Sequence, residues 1–274
     1  MEVTARGAGV GAKPRSIISG VKFARLVCAS AGALLVGCSG GGNGAELPKP
    51  KGANEVTFRS GDGLEVFGDR YSAKLEQAST LMLLFHQAGS SADEFATIAP
   101  KLAAKGYDCL AVDLRSGGDK FGANRTAEAL EGEADYESAY QDMKAAVVWA
   151  KKEGYHSIIL FGSSYSASLS LRLAAEEQGI AGVIAFSPGE YFTKKGIVRS
   201  WAGEVRVPTF LTGAPGELDA VQQIYEAMPI EEKRLCIPSN GVHGASMLIP
   251  ERNPKGASDV WDELTEFLNS WLRP

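Results

Sequence analysis

The sequence has few of the residues that build metal or disulfide frameworks. It contains four cysteines in 274 residues and no CxxC pair, which excludes a small disulfide-stapled scaffold and gives no sign of a zinc site. Positive charge is not in excess, because 28 Lys and Arg stand against 33 Asp and Glu for a formal net charge of −5. A dedicated nucleic-acid binder would ordinarily show a basic face. We therefore expect no nucleic-acid partner, and because the sequence shows neither a nucleotide-binding loop nor metal-ligand spacing, we expect no cofactor.

A long apolar run is missing from the amino-terminal region. The apolar stretch at residues 26–36 has about 11 residues, whereas a helix that spans a membrane needs about 20. Basic residues precede the stretch and Leu35-Val36-Gly37-Cys38 ends it, an order typical of a secretory signal. This ending resembles the lipobox of bacterial lipoproteins, whose cysteine becomes the lipidated first residue. The resemblance implies a signal peptide at residues 1–37 and a lipid anchor at Cys38.

The segment after the expected anchor is rich in glycine. Residues 38–52 begin with the lipidated cysteine and a Gly-rich run, which is typical of a flexible tether. Ser39 rather than aspartate follows the cysteine, and this resembles the pattern of sorting to the outer membrane. Residues 1–37 contain five basic residues and one acidic residue, so the remainder has 23 Lys and Arg against 32 Asp and Glu, a formal −9. We expect an exported protein whose acidic body hangs away from an anionic membrane.

Residues 53–274 form one predicted domain in which strands alternate with helices. Extended segments at 55–59 and 64–71 flank Gly61-Asp62-Gly63 and predict an N-terminal β-hairpin. Further strands are predicted near 80–86, 107–113, 157–162, 182–186, 207–212 and 234–238, and helices near 92–105, 134–153, 164–178, 219–228 and 258–272. Because the strands are apolar throughout, we expect a mostly parallel central sheet with helices on both faces. Cys109 and Cys236 lie in strands and are expected to be buried free thiols.

The third of these apolar strands runs directly into a cluster of small residues. Gly162-Ser163-Ser164-Tyr165-Ser166 fits the nucleophile elbow G-x-S-x-G except at its last position. A turn this tight needs small neighbours, and its central serine sits at a helix N-terminus that favours a developing anion. The pattern predicts Ser164 as a nucleophile, although a serine here could also simply cap the helix.

A base and an acid are available after two later strands. His243 lies between strand and helix in Asn240-Gly241-Val242-His243-Gly244, and it is one of only three histidines, which suits it to act as the base. The strand at 207–212 leads to two carboxylates, Glu217 and Asp219, either of which could orient the imidazole. Asp219 also fits a helix N-cap, so Glu217 is favoured.

The loop after the strand at 80–86 also follows a predicted parallel strand, and it completes the set of segments that could form the site. An oxyanion needs two backbone N–H donors. We expect one from Tyr165, the residue after the nucleophile, and the other from Gln87 in the segment His86-Gln87-Ala88-Gly89. His86 itself is expected to orient the loop.

Together these segments resemble the α/β-hydrolases, close in size to the dienelactone hydrolase-like and small-esterase branch. The resemblance covers residues 53–274 and is carried by LLFHQAGSS, YDCLAVDLRSGG, ILFGSSYSASLSL, VPTFLTGAPGE and GVHGASML. It implies the α/β-hydrolase fold and serine hydrolase chemistry on an ester-type bond. In relatives the acid usually lies nine residues after the proline of the Val-Pro strand, which from Pro208 is Glu217. The departures are Ser166 in the elbow, Gln87 where many relatives have glycine, and a glutamate as the acid.

The segment that often carries a lid is short in this chain. About 20 residues, 187–205, separate the strand that ends at Phe186 from the next, so we expect no large lid and a small or water-soluble acyl substrate. Tyr191, Phe192 and Trp201 are candidates to line its pocket, or to be core beneath a loop. The same three catalytic residues would also serve thioester, lactone or peptide cleavage. The alternative from another class is a lipoprotein that binds a ligand on this fold without catalysis.

Overall fold

The computed structural model describes residues 53–73 and 79–274. The expected signal peptide at 1–37, the lipidation site Cys38 and the linker at 38–52 lie outside the described residues. No helix in the described ranges is long and apolar enough to cross a membrane.

One eight-stranded sheet organises the described part of the chain. Its strands are β1 (Asn54–Arg59), β2 (Glu65–Tyr71), β3 (Thr80–Phe85), β4 (Asp108–Val112), β5 (Ser157–Ser163), β6 (Ile180–Phe186), β7 (Thr209–Thr212) and β8 (Lys233–Cys236). They lie in the order β1-β2-β4-β3-β5-β6-β7-β8. The predicted hairpin, β1 with β2, is antiparallel and joins β4 in antiparallel pairing, whereas every pair from β4 to β8 is parallel. The parallel strands therefore end at one edge, where ligands bind in sheets of this kind.

Helices cover the sheet on both faces, as the apolar strands predict. They are α1 (Ala99–Ala104), α2 (Arg125–Ala129), α3 (Tyr140–Lys152), α4 (Tyr165–Glu176), α5 (Ile197–Ala202), α6 (Leu218–Ala227) and α7 (Ala257–Trp271). Short 3₁₀ helices occur at Ala92–Phe95, Pro215–Glu217 and Gly244–Leu248. Side chains alternate between two cores: Ile158 and Leu160 of β5 pack with α3 to α6, and Ile159 and Phe161 pack with α1 and α7. Burial of both faces explains why β5 is apolar at successive positions.

Two helix predictions were wrong in extent. The segment at 92–105 contains a 3₁₀ turn and then α1, whose first turn holds Pro100, because proline cannot continue a helix that precedes it. The helix predicted from residue 134 begins only at Tyr140, since Asp135 accepts a 2.8 Å hydrogen bond from the Ser138 backbone in a preceding turn. The short helices α2 and α5 were not predicted, because five or six residues carry too little periodicity.

The two strand cysteines lie where the sequence indicates. Cys109 and Cys236 are buried and free. Burial raises the pKa of both thiols, which disfavours the reactive thiolate.

Candidate active site

The turn from β5 into α4 holds Ser164 in a strained conformation. Its φ of 64° and ψ of −124° lie in a region that side-chain-bearing residues rarely adopt. The Ser164 backbone N–H donates a 2.8 Å hydrogen bond to the Phe186 carbonyl at the end of β6, which helps to hold this geometry. Ser164 therefore stands at the carboxyl edge of the sheet, directly before the first residue of α4.

Small residues around Ser164 are required by close backbone approach. A Cβ on Gly162 would lie 2.4 Å from Ala167 Cα and 2.5 Å from the Ser166 carbonyl oxygen, so only glycine fits. Ser166 is accommodated in place of the usual glycine because its hydroxyl is used locally. The hydroxyl donates to the Phe85 carbonyl at 2.7 Å and accepts from the Ser163 backbone N–H at 2.9 Å.

His243 and Glu217 are brought into direct contact. His243 Nδ1 lies 2.6 Å from Glu217 Oε1, and the other carboxylate oxygen of Glu217 accepts hydrogen bonds from Ser187 Oγ at 2.6 Å and the Ala214 N–H at 2.9 Å. Burial acts to raise the pKa of the Glu217 carboxyl, but these hydrogen bonds outweigh it and hold that pKa below its ordinary value. Glu217 is therefore ionised at neutral pH and faces one imidazole nitrogen.

Asp219, the other candidate acid, does not meet His243. It is exposed in the first turn of α6, and its side chain makes no hydrogen bond within the described residues. It is also not the N-cap of α6, since that helix begins after Glu217. A carboxylate in the first turn of a helix interacts favourably with the helix dipole. This interaction explains an aspartate at position 219 without a catalytic role.

The loop that carries His243 packs beside the elbow. The Gly244 N–H donates to Ser187 Oγ at 3.0 Å, and the Ala245 N–H donates to Ser163 Oγ at 2.8 Å. Within the part of the chain that the structure describes, Ser164 Oγ makes no hydrogen bond to His243. Contacts of this kind are often long in unliganded sites and shorten when substrate binds.

The backbone donor predicted at Gln87 is occupied, so that prediction was wrong. The Gln87 N–H donates a 2.7 Å hydrogen bond to Glu94 Oε2 and cannot also bind an oxyanion. The next amide, that of Ala88, and the amide of Tyr165 donate no hydrogen bond among the described residues. The Tyr165 side chain is fixed by stacking on Tyr136, with ring centroids 4.5 Å apart, and by a 2.8 Å hydrogen bond from Ser116. Ala88 and Tyr165 thus replace Gln87 and Tyr165 as the free donor pair.

His86 is a loop-orienting residue, as expected. It is fully buried, and its Nε2 accepts a 2.9 Å hydrogen bond from the Leu114 N–H. Its Nδ1 therefore carries the proton and donates to the Gln87 carbonyl at 2.7 Å. Burial lowers the pKa of His86, so the ring stays neutral and holds the loop after β3 to the loop after β4.

A buried carboxylate, Glu94, joins the loops of the site and was not foreseen from the sequence. Glu94 is fully buried and accepts hydrogen bonds from the Gln87 backbone, from Gln87 Nε2 at 2.7 Å and from Ser163 Oγ at 2.9 Å. Through Ser163 it is linked to the loop after His243 by the Ala245 N–H. Its only sequence signal is an acid inside an apolar segment, which does not indicate its partners.

Ser187 is a second residue that the sequence analysis missed. It follows β6 directly, it is fully buried, and it has a positive φ of 55°. Its hydroxyl bridges the Glu217 carboxylate and the Gly244 N–H of the histidine loop. A polar residue at the carboxyl end of a parallel strand was the signal that could have found it.

Only one of the aromatic candidates lies at the surface of the site. Tyr191 is 38% exposed and donates to the Ser187 carbonyl at 2.8 Å; burial raises the pKa of its hydroxyl and a hydrogen bond with Ser164 opposes that rise. Phe192 is buried and packs edge-on against Trp201, with centroids 5.2 Å apart. The expectation that Phe192 lines a pocket was therefore wrong, because Phe192 is buried in the core, where the half-buried Trp201 packs against it.

The region between β6 and β7 contains one helix of six residues, α5, so this region forms no large lid over the site. An open cavity of about 370 Å³ lies beside His243 and is lined by Gln87, Lys120, Val242, His243, Ser246 and Arg252. No group of three His, Cys, Asp or Glu able to hold a metal ion occurs in the described ranges.

The sheet order, the strained serine after β5, and the carboxylate and histidine after β7 and β8 are arranged as in the α/β-hydrolase fold. A family profile described as serine aminopeptidase, S33, matches residues 76–207, slightly less than half of the chain. A comparison with curated proteins finds no match. The described chain has the α/β-hydrolase fold, and the family match supports its placement in the α/β-hydrolase superfamily.

Solved structures with this fold include enzymes of several activities. An esterase from Pyrococcus furiosus is 21% identical with a TM-score of 0.63, over 80% of this chain and 92% of that one. A dienelactone hydrolase from Anabaena variabilis is 19% identical with a TM-score of 0.62, over 81% and 98%. An acylaminoacyl peptidase from Pyrococcus horikoshii is 17% identical with a TM-score of 0.61, over 81% of this chain but 42% of the peptidase. At these identities the matches show that the fold is shared.

Proposed function

We propose that this protein is a serine hydrolase that cleaves an ester-type bond in a small or soluble acyl compound. The observation that carries the proposal is the 2.6 Å contact between His243 Nδ1 and Glu217 Oε1, next to a serine held at φ 64°. A carboxylate on one imidazole nitrogen leaves the other as the proton acceptor. A pure binding module has no need of this combination.

The proposed reaction begins when His243 Nε2 takes the proton of Ser164 Oγ, which attacks the substrate carbonyl carbon. The oxyanion that forms accepts hydrogen bonds from the Ala88 and Tyr165 N–H groups, while Glu217 stabilises the imidazolium. The intermediate collapses, the ester C–O bond breaks, and His243 returns the proton to the leaving alcohol. Water, deprotonated by His243, then attacks the acyl-enzyme and releases the acid and free Ser164.

The open site favours short acyl groups over long-chain lipids. With α5 as the single short helix between β6 and β7, this region offers no large apolar cover that would bury a long chain. The esterase and dienelactone hydrolase activities of structural neighbours agree with ester-type substrates. The same catalytic residues could also cleave thioester, lactone or peptide bonds. One structural neighbour, the acylaminoacyl peptidase, is named as a peptidase.

The direct test is covalent labelling of residues 39–274 with a fluorophosphonate, followed by digestion and peptide mass mapping. We expect one adduct, on Ser164, because only an activated serine attacks phosphorus at neutral pH. Labelling elsewhere, or no labelling of well-folded protein, would favour a ligand-binding module without catalysis.

Removal of the Ser187 hydroxyl should lower activity more than stability. Ser187→Gly takes away the hydrogen bonds to Glu217 and Gly244 but relieves the positive φ of this position. We expect kcat/KM for 4-nitrophenyl acetate to fall about tenfold, the scale of one hydrogen bond to a charged group, while the melting temperature stays within a few degrees of wild type. Ser200→Gly, at an exposed position of α5, is the control for activity. If kcat/KM and the melting temperature both fall, Ser187 stabilises the fold and does not specifically position the catalytic residues.

We also propose that the protein is exported and anchored through Cys38 to the outer membrane. This proposal rests on the basic start, the short apolar run and the lipobox-like ending in the sequence. An anchored hydrolase with a tether at 38–52 would meet soluble substrates near that membrane.

A further inference from the structure

Two basic side chains, Lys120 and Arg252, face the cavity that lies beside His243. Neither forms a salt bridge with any carboxylate in the described ranges, although most arginines there do, including Arg115 with Asp142 and Arg125 with Asp113. The contrast matters because the sequence as a whole is acidic. Lys120 and Arg252 thus place two positive charges without salt-bridge partners at this cavity, in a protein whose net charge is negative.

Lys120 is held at this position by its loop. Its backbone N–H donates to the Gly89 carbonyl at 3.0 Å, and the neighbouring Gly118 N–H donates to the Ser90 carbonyl at 2.8 Å. Its ammonium donates to Gln87 Oε1 at 2.8 Å, and Gln87 is itself fixed by buried Glu94. The ammonium therefore has a neutral partner, which positions it without cancelling its charge.

Arg252 is held over an aromatic ring. Its guanidinium carbon lies 4.2 Å from the centroid of Phe121, and the Lys120 ammonium lies 5.7 Å from the same centroid. Phe121 is buried, so it is a fixed base for both cations. A guanidinium stacked on a ring keeps the N–H groups at its edge available for a carboxylate.

We propose that this cavity binds a carboxylate carried by the substrate's leaving group, so that the preferred substrates are esters of alcohols or phenols bearing a carboxylate. The inference rests on the proposed hydrolase function. The leaving group departs beside His243, which protonates it, and His243 lines the same cavity as Lys120 and Arg252. At about 370 Å³ the cavity is in the range of small-molecule sites.

The experiment compares 4-acetoxybenzoate with its neutral methyl ester, which differ by the charge at the far end of the leaving group. The measured quantity is the preference, the ratio of kcat/KM for the anion to that for the methyl ester. We expect Lys120→Gln and Arg252→Gln each to lower the preference about tenfold, as the loss of one charge-assisted contact does. Lys152→Gln is the matched control, because Lys152 is exposed at the end of α3, before β5 begins at the opposite edge of the sheet; its preference should equal that of wild type.

Three outcomes would overturn the inference. An unchanged preference in Lys120→Gln and Arg252→Gln, with both esters hydrolysed, removes the carboxylate site and leaves the hydrolase intact. A charge dependence seen only with 4-nitrophenyl hydrogen succinate, whose carboxylate is on the acyl part, moves the anion to the other side of the scissile bond. Failure of the wild type to hydrolyse any of the three esters removes the hydrolase and this inference together.

Discussion

Ser164→Ala should reduce kcat for 4-nitrophenyl acetate by a factor on the order of 10⁴ to 10⁶. The substitution removes the only atom that forms the acyl-enzyme in the proposed reaction, and the residual rate comes from the oxyanion donors and substrate binding. The fold should persist, because Ser164 contributes its backbone and not its hydroxyl to the turn. Release of nitrophenolate, followed at high enzyme concentration, measures the loss.

The control for this prediction is Ser200→Ala, the same chemical change on the exposed surface of α5. Its rate should match wild type within a factor of about two. Circular dichroism and melting curves show whether each variant is folded. A folded Ser164→Ala protein that retains more than about a tenth of the wild-type rate would contradict the assignment of the nucleophile.

Glu217→Gln should lower kcat by a factor on the order of 10³ to 10⁴, the scale of losing the acid in a serine triad. A glutamine is nearly the same size, but its amide can present N–H to His243 Nδ1 and favour the wrong tautomer. The Ser187 and Ala214 donors would also lose a charged acceptor. Asp219→Asn, two residues along the chain and exposed, is the matched control and should keep the wild-type rate within about twofold. If instead Asp219→Asn shows the large loss, the contact between Glu217 and His243 is not the catalytic one.

The pH dependence of stability tests the role of Glu217 independently of activity. The pKa of Glu217 is lower in the folded protein than its ordinary value of 4.5, so its stabilising contribution is present above that value and is lost as the pH falls through the folded pKa. The free energy of unfolding of the wild type should therefore exceed that of Glu217→Gln at pH 7, and the difference should shrink below pH 4.5. Urea denaturation at several pH values measures it.

The sequence predicted the strands and the main catalytic candidates because both depend on local patterns. The apolar runs that became β3, β4 and β5 have ends within about two residues of the prediction. Ser164, Glu217 and His243 became candidates because each follows a predicted parallel strand, and the carboxyl ends of such strands meet at one edge. The contact between Glu217 and His243 could not be predicted from local patterns, since 26 residues separate them in the chain.

The failures concern information that local patterns do not contain. Whether the Gln87 N–H is free depends on Glu94, whose carboxylate turns back to meet it from a 3₁₀ helix. Whether Phe192 faces a pocket depends on the position of Trp201 in a helix too short to predict. The helix at 134–153 was extended too far because a capped turn and a helix start share the same composition.

The buried carboxylate of Glu94 has a consequence for how the site opens. It joins the loop after β3 to the elbow, and the elbow to the histidine loop, through Gln87, Ser163 and the Ala245 N–H. Displacement of one loop would leave the Glu94 carboxyl group in a dry interior without some of its hydrogen-bond partners, which costs several times a surface hydrogen bond. The three loops therefore share one local unfolding free energy, and their amide protons should exchange with solvent together as a single cooperative unit.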